Sequence, residues 1–118
     1  MHNIKELKIW QKAIDLAVKV YEISSKFPTD ERFGLVSQTR RCAVSVPSNI
    51  VEGCARESKT EYLRFLEIAF GSLRELHYQF SLACQLGYIN ESEKNKYEIK
   101  LTETEKVLNA LIRALRNS

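Results

Sequence analysis

Glycine and proline are scarce in this chain, with four and two of them among 118 residues. Proteins with many strands need such residues at their turns, so the scarcity favours long helices. No apolar run approaches the roughly 18 residues of a transmembrane helix. Residues 1–12 are polar and lack the apolar region of a signal peptide. We therefore expect a cytoplasmic protein with no membrane partner.

The residues that build catalytic and metal sites are also sparse. The three cysteines form no C-x-x-C pair, and the four glycines are isolated, so a redox motif and a Gly-rich phosphate loop are absent from the sequence. A di-iron bundle needs Glu three positions before His, but Arg74 has that place before His77. We expect His77 at the surface or its boundary. The sequence thus predicts no metal, no cofactor and no enzymatic activity.

Four segments carry apolar residues at alternating three- and four-residue spacings, which are typical of amphipathic helices. These segments cover approximately residues 4–26, 31–54, 59–86 and 91–116. Long helices with short connections run antiparallel to their neighbours. We therefore predict an all-α fold, an antiparallel up-down-up-down four-helix bundle that forms one domain over residues 1–118. Ser58 and Glu61 form a capping box before the third helix, and Gly87 is placed to end it.

The first helix carries two apolar stripes side by side. The first stripe consists of Leu7, Trp10, Ile14, Ala17, Tyr21 and Ser24, and the second of Ile9, Ala13, Leu16, Val20, Ile23 and Phe27. Two stripes exceed what one bundle core needs. So does the first half of the third helix, which is apolar nearly all round through Leu63, Phe65, Ile68 and Phe70. We therefore expect part of this surface to be buried between copies of the chain. Scattered exposed hydrophobic residues, which are common on monomers, are the alternative.

Residues 38–56 break the rules of a helix that serves only stability. Pro47 lies in the helix interior, where its ring removes a donor and clashes with the preceding turn. Asn49 falls on the apolar stripe, together with Cys42 and Gly53. We expect Pro47 to kink the helix, Asn49 to bond carbonyls that Pro47 frees, and Gly53 to mark a stop or a close approach. Such exceptions indicate a functional or contact role.

Arginine dominates the basic residues of the same segment. Arg40 and Arg41 lie midway along the second helix, and Arg56 follows its end. Guanidinium groups suit phosphates and carboxylates, so these residues are candidates for anion binding. A solvated helix face, or ion pairs with acids such as Glu52, explains them equally well.

A group of lysines also recurs at near-helical spacing along the first helix: Lys5, Lys8, Lys12 and Lys19. A strip of this kind suits the backbone of a nucleic acid. An ordinary solvated face is an equally good explanation. The formal net charge of +3 is mildly basic and does not decide between the two.

Positions along nearly the whole chain match one protein family. In the first half they are Leu7, Trp10, Ala13, Tyr21, Phe27, Pro28, Glu31, Gly34, Leu35, Gln38, Arg40, Arg41, Ala43, Ser45, Val46, Asn49, Ile50, Glu52, Gly53 and Arg56. In the second half they are Phe65, Leu66, Ala69, Gly71, Ser72, Leu73, Glu75, Leu76, Leu86, Gly87 and Tyr88. On these positions the chain resembles the 23S rRNA intervening-sequence proteins, which are small bacterial four-helix bundles. The resemblance implies a homopentamer whose relatives bind nucleic acid and a reverse transcriptase through basic surfaces.

Two functions remain open for these residues. The first is a non-enzymatic oligomer that binds RNA or DNA through basic residues pooled from several copies, namely Arg40, Arg41, Arg56, Lys12 and Lys19. The second is a protein-interaction scaffold in which Arg40, Arg41 and Glu52 hold subunit contacts through ion pairs. In both, we assign structural or interface roles to Pro47, Asn49, Glu52 and Gly53.

Overall fold

The structure, a computed structural model, describes residues 4–118, and it describes their side chains from Lys8 onward. Its helices are α1 (Ile4–Ser24), α2 (Leu35–Cys54), α3 (Lys59–Gln85) and α4 (Glu91–Arg116), with a 3-10 turn at Thr29–Glu31. Residues 4–118 contain no strand, so the predicted all-α fold is confirmed. No helix in this part of the chain is long and apolar enough to cross a membrane. Leu7 and Lys5 lie outside the described side chains.

Each helix packs against the next one along the chain, and α1 also packs against α4. Contacts between helix ends give the directions. Lys26, just past the end of α1, pairs with Glu93 near the start of α4 at 2.5 Å. Lys59 at the start of α3 donates to the backbone oxygen of Ser118, beyond the end of α4, at 2.9 Å. Neighbouring helices are therefore antiparallel and form an up-down-up-down bundle measuring 44 × 25 × 18 Å.

The core takes a stripe from each helix, and the largest of its fully buried side chains are Ile9, Ile50, Leu66, Leu73, Leu76, Leu101 and Leu108. In α1 the second predicted stripe faces this core. Of the first stripe, Trp10, Ile14 and Ala17 are half buried and Tyr21 is exposed, whereas Ser24 is buried. In α2 the core face is centred on Ala43, Val46 and Ile50. Cys42 and Asn49, which we predicted to point inward, are only half buried. They lie at the edge of α2 that packs against α3, and at these two positions the next residues along the chain, Ala43 and Ile50, are buried instead. The other members of the predicted stripe are buried as expected: Leu35, Thr39, Val46 and Gly53.

The second helix begins at Leu35, four residues later than predicted. Gly34 has φ −108° and ψ −109°, which is outside the helical region, so the preceding turn cannot continue into α2. Glu31 connects the two segments, because its carboxylate accepts the Leu35 N–H at 3.1 Å and the Tyr88 hydroxyl at 2.8 Å. The hydrogen bond from the Leu35 N–H, and to a lesser extent that from the Tyr88 hydroxyl, holds the pKa of Glu31 below its ordinary value. Glu31 thus caps α2 and ties it to the loop before α4.

The third helix has the ends that its sequence predicts. The Ser58 hydroxyl accepts the N–H of Glu61 at 3.0 Å. Gly87 has a φ of 80°, in the left-handed region that favours glycine. The N–H groups of Gly87 and Tyr88 return to carbonyls of the last turn of α3 at 3.0 and 2.9 Å, as in a Schellman motif. These caps fix the length of α3 and hence the position of α4.

Candidate functional site

Pro47 is buried inside α2, and the helix continues through it. In a regular helix its missing N–H frees the carbonyl of Ala43. Asn49 does not take that carbonyl, because its amide donates to the Ser45 carbonyl at 2.8 Å and to the Ser45 hydroxyl at 3.0 Å. The Ser45 hydroxyl in turn lies 2.9 Å from that of Ser72 on α3. The acceptor that we predicted was therefore wrong, and Asn49 supports a polar link between α2 and α3.

Gly53 marks the close approach that the sequence predicted. A Cβ atom built on it would lie 2.9 Å from Cδ1 of Tyr62 and 3.0 Å from Cβ of Phe65, both on α3. Real Cβ atoms hardly ever come so close to a neighbour. The position therefore needs glycine so that the end of α2 can pack against the start of α3.

Arg40 is directed at the end of α1. Its Nε donates to the Ser24 hydroxyl at 2.9 Å, and its Nη2 donates to the Tyr21 carbonyl at 3.3 Å. Its guanidinium also stacks on the Tyr21 ring, 4.6 Å from the centroid. A cation that bonds a carbonyl in the last turn of a helix also complements the negative end of the helix dipole. Arg40 therefore joins α1 to α2, which leaves it less free to bind a ligand.

Arg41 and Arg56 have different surroundings. Arg56 pairs with Glu52 at 3.0 Å and with Glu61 at 3.9 Å, and its guanidinium lies 4.8 Å from the centroid of the Phe65 ring. Arg41 is exposed, and within residues 8–118 it makes neither a hydrogen bond nor an ion pair. Among the three arginines, Arg41 is therefore the one whose guanidinium is available to a partner.

The candidate lysines of α1, Lys12 and Lys19, lie on the side of the helix that faces α4. Lys12 is 3.7 Å from Glu103 of α4, and Lys19 is 3.1 Å from Glu22 in the next turn of α1. Arg56 lies beyond the end of α2, and the last residue of that helix, Cys54, is about 21 Å along the axis from Arg40 at 1.5 Å per residue. The five predicted basic residues therefore occupy three separate places on one chain, and the structure does not bring them together.

An exposed apolar strip follows the outer faces of α1 and α2, and we define it by Val18, Tyr21, Val44 and Val51. Between 43% and 53% of each side chain is exposed. Residues 42–51 of α2 contain no charged side chain, although Val44, Ser48 and Val51 in this stretch are exposed. Tyr21 belongs to the excess apolar surface that the sequence predicted for α1, whereas Val18 is outside both predicted stripes. Val44 and Val51 extend the strip onto α2.

A second surface was missed at the level of sequence. Four lysines line a groove of about 200 Å³ between α1 and α4, and we call it the lysine groove: Lys19, Lys26, Lys96 and Lys100. Lys96 and Lys100 are one turn apart on α4, and neither is in an ion pair with any other side chain from residue 8 onward. Their i, i+4 spacing in the sequence could have indicated a basic surface. Residues 90–118, which contain them, are nevertheless nearly neutral in total.

A third polar cluster joins α3 to α4. Glu105 is only 8% exposed, and its carboxylate lies 3.3 Å from Nδ1 of His77 and 3.3 Å from Nη1 of Arg74. His77 is half buried, in agreement with its predicted boundary position. Across the described side chains, no group of three or more His, Cys, Asp or Glu residues is placed to hold a metal ion. The cluster is explained by the pairing of Glu105 with its two basic neighbours.

Comparisons with known proteins agree with this architecture. A crystal structure at 1.70 Å resolution, of a protein with unknown function from the S23 ribosomal protein family of Bacteroides thetaiotaomicron VPI-5482, superposes with a TM-score of 0.85. The two chains are 23% identical, and the match covers 92% of this chain and 98% of that one. This likeness establishes the fold. No curated protein matches the chain significantly.

The family model described as "23S rRNA-intervening sequence protein" matches residues 5–110, which include residues 38–56 with the three candidate arginines, the apolar strip and most of α4. The resemblance inferred from individual positions is thereby confirmed. This chain belongs to the 23S rRNA-intervening sequence protein family.

Proposed function

We propose that this chain is a non-enzymatic subunit of a homo-oligomer that binds RNA or DNA through basic side chains of several copies. The observation that carries the proposal is the apolar strip with the available Arg41 at its border. Arg41 lies one turn before Val44 on the outward side of α2, and both side chains are exposed. A surface that docks through Val44 would therefore bring Arg41 to the edge of each contact.

Self-association is supported by the composition of α2. A solvated helix face normally carries charges, yet residues 42–51 carry none while three of them are exposed. Burying Val18, Val44 and Val51 against a second copy would remove their apolar surface from water, which is the main favourable term in association. We propose a ring of five, as the family resemblance implies.

Nucleic-acid binding is supported by the sum of charges in such a ring. One chain has a formal charge of only +3, too little to give strong binding by itself. Copies in a ring would combine their fields and their contacts, so a modest charge per chain becomes effective through multivalency. A reverse transcriptase or another protein partner stays a prediction from the resemblance.

Light scattering coupled to size exclusion tests the assembly. Wild type should elute at a multiple of 13.7 kDa, and Val44→Glu should shift the mass toward one chain because it places a charge in the contact. Ile99→Glu is the matched control, since Ile99 is 59% exposed on α4, away from the strip. A wild type that stays monomeric at high concentration contradicts the assembly. Equal effects of the two changes contradict the placement of the contact on the apolar strip.

Titration of labelled RNA and DNA against wild type at several salt concentrations tests the binding. Phosphate contacts require an affinity that falls steeply as salt rises. A flat response, or no binding at low salt, rejects the nucleic-acid function. An intact oligomer with no such binding would favour the second candidate, a protein-interaction scaffold, which the uncharged strip also supports.

A further inference from the structure

We propose that the lysine groove between α1 and α4 is where the phosphodiester backbone of the nucleic acid binds. This inference rests on the proposed nucleic-acid function and adds residues to it, namely Lys96 and Lys100. It moves the principal binding surface from the arginines of α2 to a different edge of the bundle.

The ion pairs within the groove leave these two lysines available. Glu93 is paired with Lys26 at 2.5 Å, and Glu22 with Lys19 at 3.1 Å. Both acids that line the groove are therefore engaged by lysines of α1 or its end. Four lysines against two glutamates leave a formal charge of +2, and this excess is located on α4.

Lys96 and Lys100 also repel each other. Like charges at i and i+4 on a helix destabilise it, whereas an acid at either position would stabilise it. An anion that bridges the two ammonium groups would reverse this repulsion. The two residues are about 6 Å apart along the helix axis, at 1.5 Å per residue, so one flexible strand can contact both.

The apolar residues beneath the lysine groove strengthen the electric field of the lysines. Ile23 is 8% exposed and Tyr97 is 4% exposed, so the surface beneath the lysines is formed largely by apolar side-chain atoms. Charges beside a low-dielectric wall act over a longer range than charges in open solvent, and a cleft lined by one sign of charge concentrates counter-ions. The residues that line the groove on α4 extend from Glu93 to Lys100, about 10 Å along the helix axis at 1.5 Å per residue.

The test compares two double variants in the full chain. Lys96→Glu/Lys100→Glu changes the groove, and Lys94→Glu/Lys106→Glu makes the same change in net charge elsewhere on α4. Binding of a labelled single-stranded RNA is measured by fluorescence anisotropy across a series of KCl concentrations. Circular dichroism and light scattering confirm that each variant keeps the wild-type fold and mass.

We expect the groove variant to bind at least about tenfold more weakly at low salt. Its salt slope should be shallower by roughly 0.7 for each phosphate that it no longer neutralises. Lys96→Arg/Lys100→Arg should retain both the affinity and the slope, because it keeps the charge. The Lys94→Glu/Lys106→Glu variant should lose clearly less affinity than the groove variant, because the same change in net charge then lies outside the groove. An equal weakening in both glutamate variants would show a general charge effect and overturn the inference.

Failure of this inference is distinguishable from failure of the proposed function. If wild type binds with a steep salt dependence and the groove variant binds equally well, the groove is rejected while nucleic-acid binding stands. If wild type shows no salt-dependent binding, both are rejected.

Discussion

The contact between α2 and α3 at Gly53 predicts that Gly53→Ala destabilises the protein. In an ordinary helix interior the same change stabilises, because alanine is favoured over glycine by about 1 kcal/mol. At Gly53 the new methyl group would lie 2.9 Å from Cδ1 of Tyr62 and 3.0 Å from Cβ of Phe65. Tyr62 is only 4% exposed, and the Phe65 Cβ is fixed to the backbone, so neither atom can move away cheaply.

The magnitude follows from these opposing effects. Overfilling a packed contact typically costs about 1–3 kcal/mol, and the two short distances place Gly53 in the upper part of that range. Subtracting the gain in helix propensity leaves a net loss of roughly 1–2 kcal/mol in the free energy of unfolding. Gly71→Ala is the matched control, because Gly71 is also inside a helix but nothing lies within 4 Å of its added Cβ. It should stabilise by about 1 kcal/mol.

Equilibrium unfolding in urea at one fixed protein concentration measures both changes, since association makes stability depend on concentration. The midpoints should move in opposite directions with an unchanged slope. A Gly53→Ala variant as stable as Gly71→Ala would refute the assignment of a close approach. A loss of stability in Gly71→Ala would instead show that a second chain approaches α3 at Gly71.

Three further changes test single contacts. Arg40→Ala should cost about 1–2 kcal/mol in urea unfolding, because Arg40 makes charged hydrogen bonds to the end of α1, while Arg41→Ala should stay within about 0.5 kcal/mol. Tyr97→Phe should leave stability unchanged or raise it, because the buried hydroxyl has no partner in the described chain; a clear loss would reveal one. The folded pKa of Glu31 lies below its ordinary 4.5, so its contribution is complete above that pH and is lost as pH falls through the folded pKa; acid unfolding of Glu31→Gln should lack this component.

Apolar spacing alone predicted the helices and their order, because periodicity within a segment reports which face is buried. The start of α2 was missed because Glu31 looks like a helical residue in the sequence. Its carboxylate actually caps Leu35 and accepts the Tyr88 hydroxyl, and the second of these hydrogen bonds joins residues 57 positions apart. A contact of that kind is visible only when the bundle is assembled.

The basic residues also depend on contacts between helices that the sequence does not reveal. Arg40 and Arg41 are adjacent and look equivalent in sequence, but one turns toward Ser24 of α1 while the other faces outward. Which of them does so depends on the rotation of α2 against α1. Lys96 and Lys100 do not stand out in the sequence, because residues 90–118 carry six basic side chains against five acidic ones. Their significance lies in local spacing and in the paired state of Glu22 and Glu93, which a sum cannot show.

The two proposed surfaces occupy different edges of the same bundle, and this arrangement decides how they would work together. The apolar strip lies along α1 and α2, whereas the lysine groove lies between α1 and α4. A copy docked on the strip would therefore leave the groove open. Each added subunit would contribute another groove, so assembly would raise avidity without any change within a single groove. Weak binding by one chain is consequently compatible with strong binding by the ring, and Val44→Glu should weaken binding although it alters no lysine.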